Sequence, residues 1–304
     1  KIGWSGRPGE PAWCQWDKTL IVFNDNTLKT GIPLEHIQGE LDHVSGWSNG
    51  LALRAQGIIN LESIIVLGQQ VTRIESPFRV QDGVAELVDL RGHLLDGELW
   101  GQGWVSLDAT PRYGATMSLQ GAQLEQYARM LGGRRSFRGV IDAQLECSGQ
   151  GSDLHSLDGR GEAHITQGDL GELPVVLRFA KFLNVPNTLS DAPRARIKTM
   201  FDSADVAFTI AHGLWRLDPI KFTGNAFSLQ GRGWLDPQAN LDLRLRVLLG
   251  RDRWHVPLLS DVTREASAQF LIVHVKGTPA YPDFRLEALP QLKRDPGRLD
   301  RPER

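Results

Sequence analysis

Chemistry in a protein starts from reactive side chains held at working spacing, and this chain has the raw material: eight histidines, two cysteines and 36 acidic residues in 304 positions. Their arrangement is unpromising. There is no His-Glu-x-x-His helix to hold a metal and no phosphate loop ending Gly-Lys-Ser or Gly-Lys-Thr, and the Gly-x-Ser-x-Gly at Gly46-Trp47-Ser48-Asn49-Gly50 falls in a hairpin between two strands, not at the strand-to-helix elbow that presents a nucleophile. The Gly-x-Gly pairs lack a third glycine opening a helix, so they are not dinucleotide fingerprints. His155, His164 and His274 fall on polar strand faces or in turns, where a histidine is solvated, and His212 precedes Gly213 in a turn. Cys14 and Cys147 match no metal or redox spacing. They read as small buried or half-buried side chains, with a disulfide as the alternative in an oxidising compartment. A glycosidase-like pair of carboxylates would have to be assembled by the fold, since no spacing announces it. The expectation is a non-enzymatic protein with no cofactor and no metal.

The tryptophans carry more information. Trp100, Trp104 and Trp234 have the parity opposite to their neighbouring glycines. Side chains alternate faces along a strand, so these rings lie on the face that the glycines do not. Such rings either pack under a helix or neighbouring strand, or offer a surface to a sugar or a membrane.

The elements that must position these residues are unusual strands. Between Phe137 and Leu183, Ile141, Ala143, Leu145, Cys147, Gly149 and Gly151 share one parity, while Asp142, Gln144, Glu146, Ser148 and Gln150 take the other. The next strand repeats the pattern with Leu157, Gly159, Gly161, Ala163 and Ile165 against Asp158, Arg160, Glu162, His164 and Thr166. Leu99, Gly101, Gly103, Val105 and Leu107 form a third such face, and Phe227, Leu229, Gly231, Gly233 and Leu235 a fourth. Glycine in a strand interior forfeits a packing side chain, worth up to about 1 kcal/mol on strand-propensity scales. Two explanations compete: the glycines permit a bend, a bulge or a ring laid against the sheet, or they open a groove for a ligand.

Composition bounds the function class. The net charge is −2 with both signs interspersed, so nothing attracts nucleic acid, and none is expected as a partner. Hydrophobic residues make up 41% of the chain, enough for a sizeable core, but no run of about 18 apolar residues occurs. The first residue is Lys1 rather than Met, which suggests a fragment, and a signal or anchor helix upstream would be invisible in it, not excluded.

Read in order, residues 1–16 form an irregular lead-in rich in Gly, Pro and Trp. A short strand follows at Leu20–Phe23, with turn chemistry at Asn24-Asp25-Asn26. Leu34–Ser45 and Leu51–Ile59 form a hairpin through Gly46, Asn49 and Gly50. Strands then follow at Ser63–Leu67, Val71–Val80, Val84–Leu90, Glu98–Leu107 and Gly114–Gln120. A helix is predicted at Gln123–Leu131, where Leu124, Tyr127, Ala128 and Leu131 recur at helical spacing, and another at Glu172–Leu183. Later strands are placed at Ser203–Ala211, Leu214–Phe222, Asn225–Leu235, Leu241–Leu249 and Ala268–Val275, with a short helix within Val256–Ala266. The organisation is one elongated β-rich domain over 1–289, with a sub-boundary near 110–122, and a charged tail at 290–304 that reads as disordered.

These residues resemble the C-terminal region of AsmA-like proteins, the envelope family that includes TamB-type relatives. The similarity is carried by Ser136–Asp142, Gly149-Gln150-Gly151, Leu157–Gly161 with Gly168-Asp169-Leu170, and the helix through Leu183-Asn184. Further along it is carried by Phe227–Gly233, the Leu241–Leu249 strand, and Val273–Pro279 with Pro282. It covers roughly Leu99 to Leu289. The resemblance implies a mainly β fold, an elongated antiparallel sheet curved into a groove or open barrel, with two or three short helices packed against or capping it. It also implies the periplasm of a diderm bacterium, an inner-membrane anchor, and a role in envelope integrity or lipid transfer between membranes. The partners expected are phospholipid or another acyl lipid, and envelope proteins.

Combining both lines gives a candidate lipid-groove lining: Leu145, Gly149, Gly151, Leu157, Gly159, Gly161, Ile165, Leu229, Gly231, Gly233, Leu243, Leu245 and Val247. No catalytic role falls to any of them. The alternatives are a structural scaffold for envelope assembly, with a closed core and a protein partner, and a carbohydrate-active β-solenoid, which requires a shorter and more regular repeat.

Overall fold

The computed structural model describes residues 2–5, 13–29, 32–130, 138–169, 200–224, 227–249, 271–279 and 281–288. They form a single antiparallel sheet of sixteen strands, each paired with its sequence neighbours, so that spatial order equals chain order. The first eight are β1 (Ile2–Ser5), β2 (Trp13–Leu28), β3 (Leu34–Ser48), β4 (Leu53–Val66), β5 (Gln69–Gln81), β6 (Val84–Leu94), β7 (Gly97–Ser106) and β8 (Arg112–Gln123). The second eight are β9 (Arg138–Gln150), β10 (Asp158–Asp169), β11 (Met200–Ala211), β12 (Leu214–Thr223), β13 (Phe227–Leu235), β14 (Leu241–Leu249), β15 (Leu271–Gly277) and β16 (Pro282–Ala288). The sheet does not close, because β1 and β16 do not pair. One short helix, α1 (Leu124–Met130), follows β8, and a single 3-10 turn spans Leu154–Ser156. The helices predicted at Glu172–Leu183 and Val256–Ala266 lie outside the described residues.

The expected strands are present, but three local readings are corrected. The lead-in is not irregular throughout: β1 pairs with the start of β2, Ile2 opposite Trp16 and Trp4 opposite Cys14. Asn24-Asp25-Asn26 does not reverse the chain, since β2 runs through it. Asp25 takes a left-handed φ of 59° and the register with β3 shifts between Asn24 and Asn26. One left-handed residue inserts a bulge, whereas a tight hairpin reversal needs a two-residue turn closing the ladder. Finally, the strands read at 51–59 and 63–67 are one strand, β4, because Asn60-Leu61-Glu62 holds neither glycine nor proline to interrupt it.

Bulges are what coil this sheet. Lys18, His36, His43, Arg73 and Gln167 have φ between 50° and 52°, and each sits where the ladder register shifts. An extra residue on one strand sharpens the local right-handed twist. The usual twist alone, about 20–25° per strand, turns the strand direction by roughly 140–175° over the seven steps from β3 to β10. Ile32, at the tip between β2 and β3, accordingly packs against Tyr113, Leu157 and Ile210, which lie at the opposite ends of β8, β10 and β11. The sheet therefore bends its own edge hairpin back over the face that carries these residues.

Candidate functional site

The register brings the four glycine-thinned strands onto one face. Reading straight across β7 to β15, one lane runs Gly101, Met117, Leu145, Gly161, Phe208, Leu217, Gly233, Leu243, Val275. A parallel lane runs Leu99, Leu119, Ala143, Ala163, Val206, Ile220, Gly231, Leu245, Val273. No charged or amide side chain enters either lane. At about 4.8 Å per strand the eight steps trace roughly 38 Å of arc, well beyond the roughly 15 Å that one leaflet contributes to a bilayer's hydrocarbon core.

The glycines on this face are not empty space. A Cβ built on Gly161 would stand 2.2 Å from the Gln144 carbonyl oxygen on β9 and 2.5 Å from the Phe208 ring on β11. On Gly231 it would stand 1.9 Å from the Arg244 carbonyl oxygen, and on Gly233 2.4 Å from that of Asp242. Neighbouring strands approach the glycine side more closely than any side chain allows, so the sheet is concave on its apolar face. Large side chains then lie down over the gaps: Phe208 over Gly161, Tyr113 over Gly149, Phe78 over Gly57. A ring reclining on a cross-strand glycine covers bare backbone and leaves a low, smooth floor. Gly103 differs, with a built Cβ 3.4 Å from the nearest atom, at ordinary contact distance.

Exposure divides the candidate lining into two zones. Leu145, Gly149, Gly159, Gly161, Ile165, Leu229, Gly231, Gly233 and Leu243 are half-buried, as is Gly151, which sits in the turn after β9 with φ 62°. Leu157, Leu245 and Val247 are buried at 5%, 4% and 2% exposure. Leu245 and Val247 belong to a dense cluster with Ile220, Val273 and Val275, while Leu157 packs with Tyr113 and Ile210 under Ile32. The half-buried part of the candidate floor therefore lies on β9 and β10 and again on β13 and β14. Cys147 lies in it, opposite Ala115 and Gly159, and burial pushes its thiol above the usual range. Burial likewise raises the Tyr113 phenol. Both cysteines are free thiols.

The opposite face is polar, and its ion pairs run between adjacent strands: Arg160 to Glu146 at 2.7 Å, Lys276 to Asp242 at 3.1 Å. Trp100, Trp104 and Trp234 stand on this face, each about two-fifths exposed, as parity predicts. Trp104 lies flat over Gly114, whose built Cβ would stand 2.7 Å from the indole nitrogen. A depression of about 550 Å³ opens here over β7 to β12, between Trp100 and Lys221. His164 lies within it, its Nδ1 2.6 Å from Asp205 Oδ1. The two are 41 residues apart, so only strand register joins them, and local periodicity carries no sign of the pair. Among the described residues no cluster of three or more His, Cys, Asp or Glu side chains is arranged to hold a metal ion. No described helix is long and apolar enough to cross a membrane.

No family model, curated protein or solved structure matches the chain.

Proposed function

We propose that this chain is a non-enzymatic trough for lipid, holding acyl chains against its concave apolar face. The observation that carries the reading is the unbroken apolar lane from β7 to β15 on a sheet that never closes. A single-layer sheet with one hydrocarbon face loses that face to water unless something covers it, at about 25 cal/mol per Å². A flexible acyl chain matches a long, smooth, curved floor without any matching pattern of hydrogen bonds. The resemblance to AsmA-like proteins agrees, and with it a periplasmic setting, tethering to the inner membrane, and transfer of lipid between membranes.

A second reading, a scaffold with a closed core, draws on the cluster of Ile220, Leu245, Val247, Val273 and Val275, exposed by only 2–4%. Mass spectrometry of lipid extracted from detergent-free protein separates the two. Phospholipid co-purifying with the protein, and lost from Leu145→Arg, supports the trough. Absence of bound lipid together with no uptake of a fluorescent phospholipid from vesicles contradicts it.

A further inference from the structure

We propose that the depression on the polar face is a binding site for a linear oligosaccharide of neutral or amine-bearing sugars. It lies on the face opposite the lipid trough, and the argument does not depend on that reading.

The site is a grid made by strand register. One row crosses the strands as Trp100, Ser118, Gln144, Glu162 and Ala207. The next row, displaced along the strands, is Asp142, His164, Asp205 and Lys221. From β7 to β12 the grid extends about 24 Å at about 4.8 Å per strand, the length of a short linear oligosaccharide. Ala207, a small residue in a row of longer side chains, lines the depression where the β11–β12 register shifts. Bulges are over-represented beside functional sites, where they re-aim side chains.

The chemistry of the two rows suits sugar hydroxyls. Trp100 is 39% exposed at one end of the depression, a flat apolar ring against which the C–H face of a pyranose packs. Ser118, Gln144, Glu162 and Lys221 have no side-chain partner among the described residues, so their donors and acceptors are available. Two of the polar groups are already fixed: Asp142 Oδ1 accepts from the Gly121 amide at 2.8 Å, and His164 is held by Asp205. Fixed groups lose little entropy when they bind.

Charge narrows the ligand class. Asp142, Glu162 and Asp205 outnumber Lys221 and any charge on His164, so a phosphorylated or sulfated polymer is repelled and an ammonium group is welcomed. An extended peptide fits less well. Every strand under the site is hydrogen-bonded on both sides, which leaves no free edge for the backbone ladder that strand addition needs.

The test is titration calorimetry of the full chain with chitotetraose, its deacetylated form, cellotetraose and, as the anionic comparison, a heparin tetrasaccharide. The expected result is binding of at least one of the first three. Trp100→Ala weakens it by about tenfold or more, Gln144→Ala weakens it by a smaller factor, and Trp234→Ala, outside the depression, leaves it unchanged. Far-ultraviolet circular dichroism checks each variant. If Trp100→Ala does not fold, Gln144→Ala and Glu162→Ala decide in its place. No binding of the first three at millimolar concentration overturns the proposal. So does binding unaffected by these variants, or a preference for heparin or for an unstructured peptide.

Discussion

Replacing Gly161 by alanine adds one methyl group to the accessible part of the apolar floor, and the structure says that the methyl has nowhere to go. Its carbon would lie 2.2 Å from the Gln144 carbonyl oxygen and 2.5 Å from Phe208 Cζ, where ordinary contacts begin at 3.4 Å. Phe208 is a poor candidate to yield, since its ring packs on Trp215 with centroids 5.0 Å apart. The carbonyl belongs to the β9–β10 ladder and moves only by breaking register. Overpacking of this kind costs about 1–3 kcal/mol. Gly103→Ala is the internal comparison, because its methyl meets nothing closer than 3.4 Å. There alanine restricts the unfolded chain and stabilises by about 0.4–1 kcal/mol. Urea unfolding followed by circular dichroism should give midpoints on opposite sides of the parent. Amide exchange in β9 and β11 should accelerate in Gly161→Ala alone. Equal midpoints, or a more stable Gly161→Ala, would refute the argument that close strand approach is why these positions are glycine.

Three further outcomes follow from the geometry. Arg73, at φ 51° in a bulge of β5, carries the cost of a left-handed non-glycine residue, about 1–2 kcal/mol, so Arg73→Gly should raise the urea midpoint while Arg79→Gly, on the same strand, lowers it. Ile32→Ser removes the hairpin tip from the cluster of Tyr113, Leu157 and Ile210, and amide exchange near Leu157 should quicken; unchanged exchange would show that the coil does not depend on this contact. Burial raises both Cys147 and Tyr113, so the folded state keeps these protons longer than the unfolded chain. Their contribution to stability is full below the ordinary values of 9.0 and 10.0 and is lost as pH climbs from there through the raised folded-state values. The urea midpoint should fall across that window, less steeply in Cys147→Ala, and a flat profile would contradict the placement of both groups.

Much of this fold was legible in the chain because parity is a local property. The alternation of Leu145 with Gln144 and Glu146, or of Leu243 with Asp242 and Arg244, fixes which side chains share a face without reference to any neighbour. The outward tryptophans followed from the same count. What parity could not reveal is what lies beside each residue in the adjacent strand. The rings over Gly161 and Gly149, and the pairing of His164 with Asp205, come from register between strands. The bulges were hidden for a different reason: Lys18 and Arg73 are residue types with no particular left-handed preference, and the modest preference of His36 and His43 is too weak to mark a bulge, so the ladders on both sides hold them there. Asn24-Asp25-Asn26 shows the converse, since residues that favour a turn were accommodated as a bulge inside a long strand. In the candidate lining, likewise, sequence placed Leu157, Leu245 and Val247 on the correct face. Their burial depends on packing from residues distant in the chain.

The central claim, that acyl chains lie on one face of the sheet, is tested most directly by the alternation itself. A photoreactive residue placed at Leu145 or Leu243 should cross-link to labelled phospholipid, while the same residue one position away, at Gln144 or Arg244, should not. The account predicts that the labelling switches on and off with each step along the strand. Equal labelling at neighbouring positions, or labelling only from Gln144 and Arg244, would contradict it.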